Sequence, residues 1–290
     1  MIAENRICII TGAAWRKRRR QLLEGGGDIR KLVRADGMAR LGRMTEEELD
    51  HLLQAHENHK HKRECLKYDD KRCLSRVKLP GGRKIIVKEY RRTRTWLRFS
   101  PDALGWLGSW RLHGTAQCLG WYRNSSEKTG FLFFADVGEH DLTFRRRQCV
   151  VEKVSNAFYQ AGLICGNLHR LHVFHNDLKP SNFVVDEDGK VTLIDCDDVR
   201  ILWRLPERLM LRNVAQVLGG IYHLAPCKLN MVAWKAFLQG YFLQMPGMRQ
   251  TIDKKLNKIM QIALLLYPAR NEINATFFQE LVNERSDQSQ

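Results

Sequence analysis

Long apolar runs are missing from this 290-residue chain: none approaches the ~18 residues that a membrane-spanning helix requires. No secretory leader is legible either. The first apolar stretch, Ile7–Trp15, precedes its basic cluster, Arg16-Lys17-Arg18-Arg19-Arg20, whereas a signal peptide has the reverse order and a small-residue cleavage site. The expectation is a chain that stays in the cytosol. No CxxC pair occurs among the eight cysteines, Cys8, Cys65, Cys73, Cys118, Cys149, Cys165, Cys196 and Cys227, and several lie inside apolar runs. A disulfide scaffold would be smaller and denser in cysteine, so most of these read as small buried hydrophobes in a reducing compartment. Acidic residues are outnumbered, 32 Asp and Glu against 48 Lys and Arg, for a formal charge of +16. A hydrophobic fraction of 44% with 9% aromatics is enough for a buried core, which excludes a disordered basic tail. The length permits one large domain or two lobes sharing a cleft.

The positive charge is unevenly placed. Residues 1–100 hold 26 basic and 13 acidic side chains, a net +13; residues 101–290 hold 22 and 19, a net +3. The asymmetry suggests an anionic partner on the N-terminal side (nucleic acid, phospholipid or a phosphorylated glycolipid) or a well-solvated surface. Residues 1–62 read as a basic N-terminal extension, with a Gly25-Gly26-Gly27 break and a polar helix carrying Leu49, Leu52, Leu53 and Ala55 as a narrow apolar stripe. His51, His56, His59 and His61 crowd the far end of that helix. His51 with His56, or His56 with His59, could share a face and bind a metal. No carboxylate or cysteine is obviously poised as a further ligand, so a solvated helix end is the favoured reading.

From about residue 65 the pattern turns to strands. Cys73–Leu79 alternates imperfectly, Pro80-Gly81-Gly82-Arg83 supplies a turn, and Lys84–Tyr90 is rich in β-branched residues, which together predict a hairpin. A basic-aromatic stretch, Arg91–Phe99, leads to a helix opened by Ser100 and Pro101 and running to about 113, with Leu104, Leu107 and Leu112 as anchors. Phe131–Ala135 is a continuous apolar strand ending at Asp136-Val137-Gly138. Val151, Val154, Phe158, Ala161, Cys165, Leu168 and Leu171 recur at intervals of three and four, one buried helical stripe. A second hairpin follows, Phe183–Val185 and Val191–Asp195 across an Asp186-Glu187-Asp188-Gly189 turn. Beyond 205 the chain reads as helices, one of them amphipathic through Ile252, Leu256, Ile259, Ile262 and Ala263. Strands first and helices after describe an α+β chain.

The chemistry is concentrated in His175-Asn176-Asp177-Leu178-Lys179-Pro180-Ser181-Asn182, followed thirteen residues later by Asp195. Acidic groups between apolar strands cost several kcal/mol unless an ion or partner compensates them. A divalent metal is the economical explanation. Asn182 and Asp195 offer the hard oxygen ligands suited to magnesium, which needs only one or two carboxylates from protein. Asp177 then remains to orient a hydroxyl and accept its proton.

This spacing, HxDLxxxN and then a strand-borne Asp, resembles the catalytic loop and metal-binding aspartate of the protein-kinase-like enzymes. The resemblance implies a two-lobed protein-kinase-like fold, with a small β-rich N-lobe over 63–137, a helical C-lobe over 138–282 and a polar tail at 283–290. It also implies ATP and Mg2+ as cofactors. Lys88 then takes the place of the phosphate-binding lysine, Asp136 and Val137 lie where the hinge meets the adenine, and Lys179 steadies the transferred phosphoryl group. The wider chain, roughly 65 to 225, is similar to the bacterial lipopolysaccharide kinase family, which phosphorylates Kdo or heptose of the inner core. That similarity rests on Arg76-Val77, Pro80-Gly81-Gly82, Val87-Lys88-Glu89-Tyr90, Leu193-Ile194-Asp195-Cys196-Asp197 and Arg212–Leu218. Departures are visible too. No GxGxxG precedes Lys88, and no glutamate occurs between Glu89 and Glu127, leaving Asp102 as the one acid near the helix that would supply a partner for Lys88.

The resemblance implies an inner-core sugar acceptor, an anionic membrane surface as partner, no nucleic acid, and a peripheral position on the cytoplasmic face of the inner membrane. Two alternatives stand beside it. A Ser/Thr protein kinase fits the wording of His175–Pro180, yet only about a dozen residues separate Asp195 from the helix near Glu207, little room for a peptide platform. A non-catalytic basic protein, binding nucleic acid through Arg91–Phe99 or acting as a pseudokinase scaffold, lacks any helix-turn-helix, zinc-finger or RNP-like pattern.

Overall fold

The computed structural model describes residues 17, 20, 26–91, 114–143, 151–196, 199–221, 227–268 and 277–283. The helix expected over 100–113, the basic-aromatic residues 92–99, most of the Arg16–Arg20 cluster, Asp102, Asp197 and the polar tail from 284 onward lie outside these residues. The chain divides into two compact units, Met1–Leu107 with Gln117–Asp136, and Gly108–Ala116 with Val137–Gln290.

The first unit is a seven-stranded antiparallel sheet. Its strands are β1 (Arg30–Val33), β2 (Gly37–Leu41), β3 (Lys67–Tyr68), β4 (Arg72–Lys78), β5 (Lys84–Tyr90), β6 (Cys118–Asn124) and β7 (Thr129–Ala135). They run in the order β1-β2-β6-β7-β5-β4-β3. The expected hairpin is β4 and β5, paired from Arg72↔Tyr90 to Lys78↔Lys84. Its turn closes with Leu79 N–H on Arg83 O at 2.9 Å, and Gly82 there takes φ 84°, which a side chain would resist.

Period-two alternation gives this sheet two different faces. One carries Val77, Ile85, Val87, Phe131, Phe133, Ala39 and Leu41, all buried beneath the helix α1 (Glu46–Lys62). Thr45 starts α1 with a capping box, its Oγ1 accepting from Glu48 N–H at 3.1 Å while Glu48 Oε2 accepts from Thr45 N–H at 2.8 Å. Leu49, Leu52 and His56 are its buried stripe. The other face carries Lys88 in register with Leu74 and Leu132, near Trp121, Phe134 and Tyr90.

Residues 30–62 therefore depart from the expected extension. β2 pairs with β6 from Gly37↔Asn124 to Leu41↔Gly120, and α1 covers the sheet. The basic residues that hid these strands are used inside the fold: Arg40 is 3% exposed, and its guanidinium and that of Arg123 both lie over the Trp121 ring, at 5.8 and 5.3 Å.

The second unit is mainly helical. α2 (Val151–Arg170), α3 (Glu207–Ile221), α4 (Cys227–Gln244), α5 (Arg249–Lys254) and α6 (Leu256–Leu266) enclose its core. A three-stranded sheet joins β8 (His140–Asp141), β10 (Phe183–Val185) and β11 (Val191–Leu193), and a two-stranded sheet joins β9 (Val173–His175) and β12 (Val199–Ile201). The expected second hairpin is β10 with β11, in register from Phe183↔Leu193 to Val185↔Val191. The amphipathic segment expected through Ile252 and Ala263 is broken into α5 and α6 at Lys255, whose backbone leaves the helical region at φ −110°, ψ 16°.

The predicted stripe of α2 is buried at Val154, Phe158, Ala161, Cys165 and Leu168, while Val151 is exposed. A second contact line on α2 comes from glycine. A Cβ at Gly162 would stand 2.0 Å from Phe237 O, and one at Gly240 would stand 2.0 Å from Tyr159 O, so α2 and α4 meet backbone to backbone. Gly162→Ala should therefore destabilise the protein by about 3 kcal/mol through overpacking, measurable as a lower denaturation midpoint in urea. An unchanged midpoint would show that α4 shifts freely.

Candidate active site

β9 delivers the motif. It ends on His175, fully buried, and the chain then turns so that Asp177 N–H donates to His175 Nδ1 at 3.2 Å. Lys179 N–H donates to Asp177 O at 3.0 Å, and Pro180–Asn182 form one turn of 3-10 helix, closed by Asn182 N–H on Lys179 O at 2.9 Å. The Asn182 side chain clasps the loop from below: Nδ2 donates to Asp177 O at 2.7 Å and lies 3.5 Å from Asp177 Oδ2. With Nδ2 so used, Oδ1 is the atom of that amide suited to a cation.

Asp195 is brought to the same place by β10 and β11. Ile194 N–H donates to Asn182 O at 2.8 Å, so the residue before Asp195 is bonded to the other expected metal ligand. Asp195 itself has φ 63°. A non-glycine residue in the left-handed region costs about 1 kcal/mol or more, and such strain clusters where a side chain must be aimed. Lys179 Nζ lies 2.7 Å from Asp177 Oδ2, with the two side chains 38% and 42% exposed. A pair so open to solvent contributes under about 1 kcal/mol and can exchange for a substrate phosphate without large cost. The four residues Asp177, Lys179, Asn182 and Asp195 thus converge on one loop system within the second unit.

The loop's backbone is buried, and its hydrogen bonds are supplied by α3. Asn213 Nδ2 donates to His175 O at 2.6 Å, and its Oδ1 accepts from His175 N–H at 3.3 Å. Gln216 Oε1 accepts from Leu178 N–H at 3.2 Å and from Asn213 Nδ2 at 2.7 Å, while Gln216 Nε2 donates to Asn176 O. Behind Asn213 stands His169 of α2, its Nε2 3.2 Å from Asn213 Oδ1 and its Nδ1 2.8 Å from Tyr241 Oη. Tyr267 Oη donates to Gln216 O at 3.2 Å. These residues were not singled out from sequence. The available signal was Asn213 and Gln216, two amides three apart on a helix whose neighbours Val214, Ala215, Val217 and Leu218 are apolar.

Lys88 and Asp136 belong to the first unit, and Val137 begins the second. Lys88 is 4% exposed in the middle of β5, its Nζ 5.4 Å from the Tyr90 ring centroid. Asp136 follows β7 and forms an ion pair with Arg76, Nε to Oδ2 2.7 Å, reinforced by Nη2 to Oδ1 at 3.3 Å. That carboxylate is committed to Arg76, so any adenine contact at Asp136 falls to its backbone. Val137 opens the second unit and is half-buried. The next residue, Gly138, has φ 123° and lies against β10: its Cβ would meet Val185 O at 3.3 Å and Val184 Cγ1 at 3.4 Å.

No protein-family model matches the chain, and no curated protein matches it by sequence. Among solved structures, WaaP in complex with acyl carrier protein is similar in fold: 18% identical, TM-score 0.52, covering 77% of this chain and 98% of that one. With the β-rich first unit and helical second unit, this shows the two-lobed protein-kinase-like fold. No helix among the described residues is long and apolar enough to cross a membrane.

Burial lowers the His169 pKa from 6.5 to about 4, only partly offset by its bond to Asn213, so the ring is neutral in the folded protein. The unfolded chain therefore takes up this proton at higher pH than the folded one, and stability present above pH ~6.5 is lost as pH falls toward ~4, by about 3 kcal/mol in all. His169→Gln, with no proton to gain, should lose about 3 kcal/mol less between pH 7 and pH 4 in chemical denaturation. Parallel pH profiles for both proteins would contradict this.

Proposed function

We propose that the chain is an ATP-dependent kinase that phosphorylates a sugar hydroxyl, Kdo or heptose, of the lipopolysaccharide inner core. The observation that carries the reading is the loop system just described. The Asn182 side-chain amide donates to the Asp177 backbone while its backbone carbonyl accepts from Ile194 N–H, the residue before Asp195, so base and metal ligands are registered by one residue. In this reading Asn182 and Asp195 hold Mg2+, which neutralises charge on the nucleotide phosphates. Asp177 aligns the acceptor hydroxyl and takes its proton, Lys179 stabilises the moving phosphoryl group, and Lys88 binds the phosphates. Asp136 and Val137 present backbone to the adenine. Positioning and charge stabilisation supply most of the acceleration in phosphoryl transfer, which suits a site built of hydrogen-bonded loops.

The sugar acceptor is favoured over a peptide by the segment after Asp195. β12 takes three of its residues into pairing with β9, from Val199↔His175 to Ile201↔Val173, and α3 begins at Glu207. Little chain is left to form a peptide platform. Trp203 there is 97% exposed beside the exposed Arg204, with Arg200 exposed three residues earlier. An aromatic ring among arginines suits an anionic interface, which supports a peripheral site on the cytoplasmic face of the inner membrane. The similarity of Val87–Tyr90 and Leu193–Asp197 to lipopolysaccharide kinases supports the same acceptor.

Transfer of labelled γ-phosphate from ATP should be tested on lipid A–Kdo, a heptosylated core and a generic protein acceptor. Label on a glycolipid, lowered by on the order of 10²–10⁴ in Asp177→Ala with ATP binding retained, is the expected result. Label on the protein alone would move the reading to a protein kinase, and full activity in Asp177→Ala would remove the base assignment.

A further inference from the structure

The polar helix α1 ends in a cluster that the proposed kinase chemistry does not use. His56 is 1% exposed, and across the sheet it meets Cys73 of β4 and Glu89 of β5, 0% and 2% exposed. One ligand atom from each of these three lies within 4.8 Å of the others. Cys65, in the loop after α1, places its Sγ 3.1 Å from Cys73 Sγ. The carboxylate and cysteines that the sequence did not place beside the histidines are thus supplied by strand pairing: β4 and β5 set Cys73 opposite Glu89, and the chain leaving α1 returns past Cys65 into β3.

The second polar atoms of His56 and Glu89 already have partners. Ser75 Oγ, fully buried, is 2.5 Å from His56 Nδ1, which leaves Nε2 facing Glu89 Oε2 at 3.1 Å. Glu89 Oε1 is held by Lys60 Nζ at 3.4 Å and Arg91 Nε at 3.6 Å, which leaves Oε2 inward. Burial opposes ionisation of Glu89, but the bond from His56 and the charges of Lys60, His56 and Arg91 outweigh it and hold this carboxyl below the usual range. This is how protein metal sites orient imidazole and carboxylate ligands, by outer bonds that fix tautomer and direction.

We propose that His56 Nε2, Cys73 Sγ, Glu89 Oε2 and Cys65 Sγ form a structural site for a divalent, thiol-preferring metal ion, zinc above all, that pins α1 to β4 and β5. Tetrahedral zinc with bonds of about 2.0–2.3 Å separates its ligands by about 3.4–3.8 Å. The N–O pair at 3.1 Å needs to open by about 0.3 Å and the S–S pair, also at 3.1 Å, by about 0.7 Å, and Cys65 needs to swing inward over Oε2 and Nε2. Binding releases a proton from each thiol, and the proton that His56 Nε2 shares with Glu89 must also leave that nitrogen, the ring keeping its N–H at Nδ1 toward Ser75 Oγ. Two thiolates and a carboxylate then face one dication, with Lys60 and Arg91 balancing the excess negative charge. The ion would do for this helix what a buried salt bridge does poorly, since it satisfies several buried ligands at once.

The test is metal analysis of the full-length protein, purified without chelator and desalted after incubation with zinc chloride, with cobalt(II) as a spectroscopic substitute. The expected result is one zinc per chain and, with cobalt, intense visible bands and a sulfur-to-metal charge-transfer band. Ser75→Ala should weaken zinc binding by about 10–100-fold through loss of the outer bond to His56. Cys65→Ser, at the half-exposed rim, should abolish the full charge-transfer intensity while circular dichroism confirms the fold, which covers the case in which Cys73→Ser does not fold. His51→Ala with His61→Ala, both outside the cluster, should leave the stoichiometry at one. Zinc that survives Cys65→Ser and Cys73→Ser unchanged but vanishes with His51→Ala and His61→Ala would overturn the site, as would a reduced protein that retains no metal, or a protein isolated without reductant whose Cys65 and Cys73 are joined as a disulfide.

Discussion

The arrangement on which the second unit depends is the replacement of backbone partners by two side-chain amides. The segment 175–178 leaves β9 and cannot continue pairing, yet it is buried, and each unsatisfied buried N–H or C=O would cost about 1–3 kcal/mol. Asn213 and Gln216 take up four of those groups: His175 N–H and C=O, Asn176 C=O and Leu178 N–H. Because the partners come from one turn of α3, the loop cannot shift without breaking several bonds together. Asp177 and Lys179 are the free ends of that brace, half-exposed beside buried neighbours.

Rigidity in the loop permits strain next to it. Asp195 adopts a left-handed backbone that asparagine or glycine would tolerate better, and the chain leading into it is held by β11 and then by the Ile194–Asn182 bond. The same logic holds behind the loop, where His169 is kept neutral between Tyr241 and Asn213. Close glycine contacts between α2 and α4 place that histidine. Packing, polar bracing and backbone strain are successive layers around the four candidate side chains.

Much of this was legible in the sequence, for a physical reason. The segment His175–Asn182 and Asp195 keep fixed spacing because a short loop, one 3-10 turn and one hairpin allow no slack, and the hairpins at 72–90 and 183–193 are announced by glycine turns between β-branched runs. What was not legible depended on partners distant in sequence. β1 and β2 looked like a basic extension because Arg40, a residue that normally marks solvent, is buried against Trp121 some eighty positions away. His56 looked like part of a solvated histidine run for the same reason: Ser75, Cys73 and Glu89 are adjacent only once the sheet has formed. Asn213 and Gln216 were visible as letters, but their meaning required knowing which backbone lay opposite.

In the proposed kinase, Asp195 accepts a strained backbone in order to hold a magnesium-bound nucleotide. The most direct measurement is titration of Mg2+-ATP into Asp195→Asn by calorimetry, beside a thermal melt of the same sample. Asparagine tolerates the left-handed backbone, so the melting temperature should be unchanged or slightly raised while Mg2+-dependent ATP binding weakens by on the order of 10²-fold. Undiminished Mg2+-ATP affinity in a folded Asp195→Asn protein would contradict it.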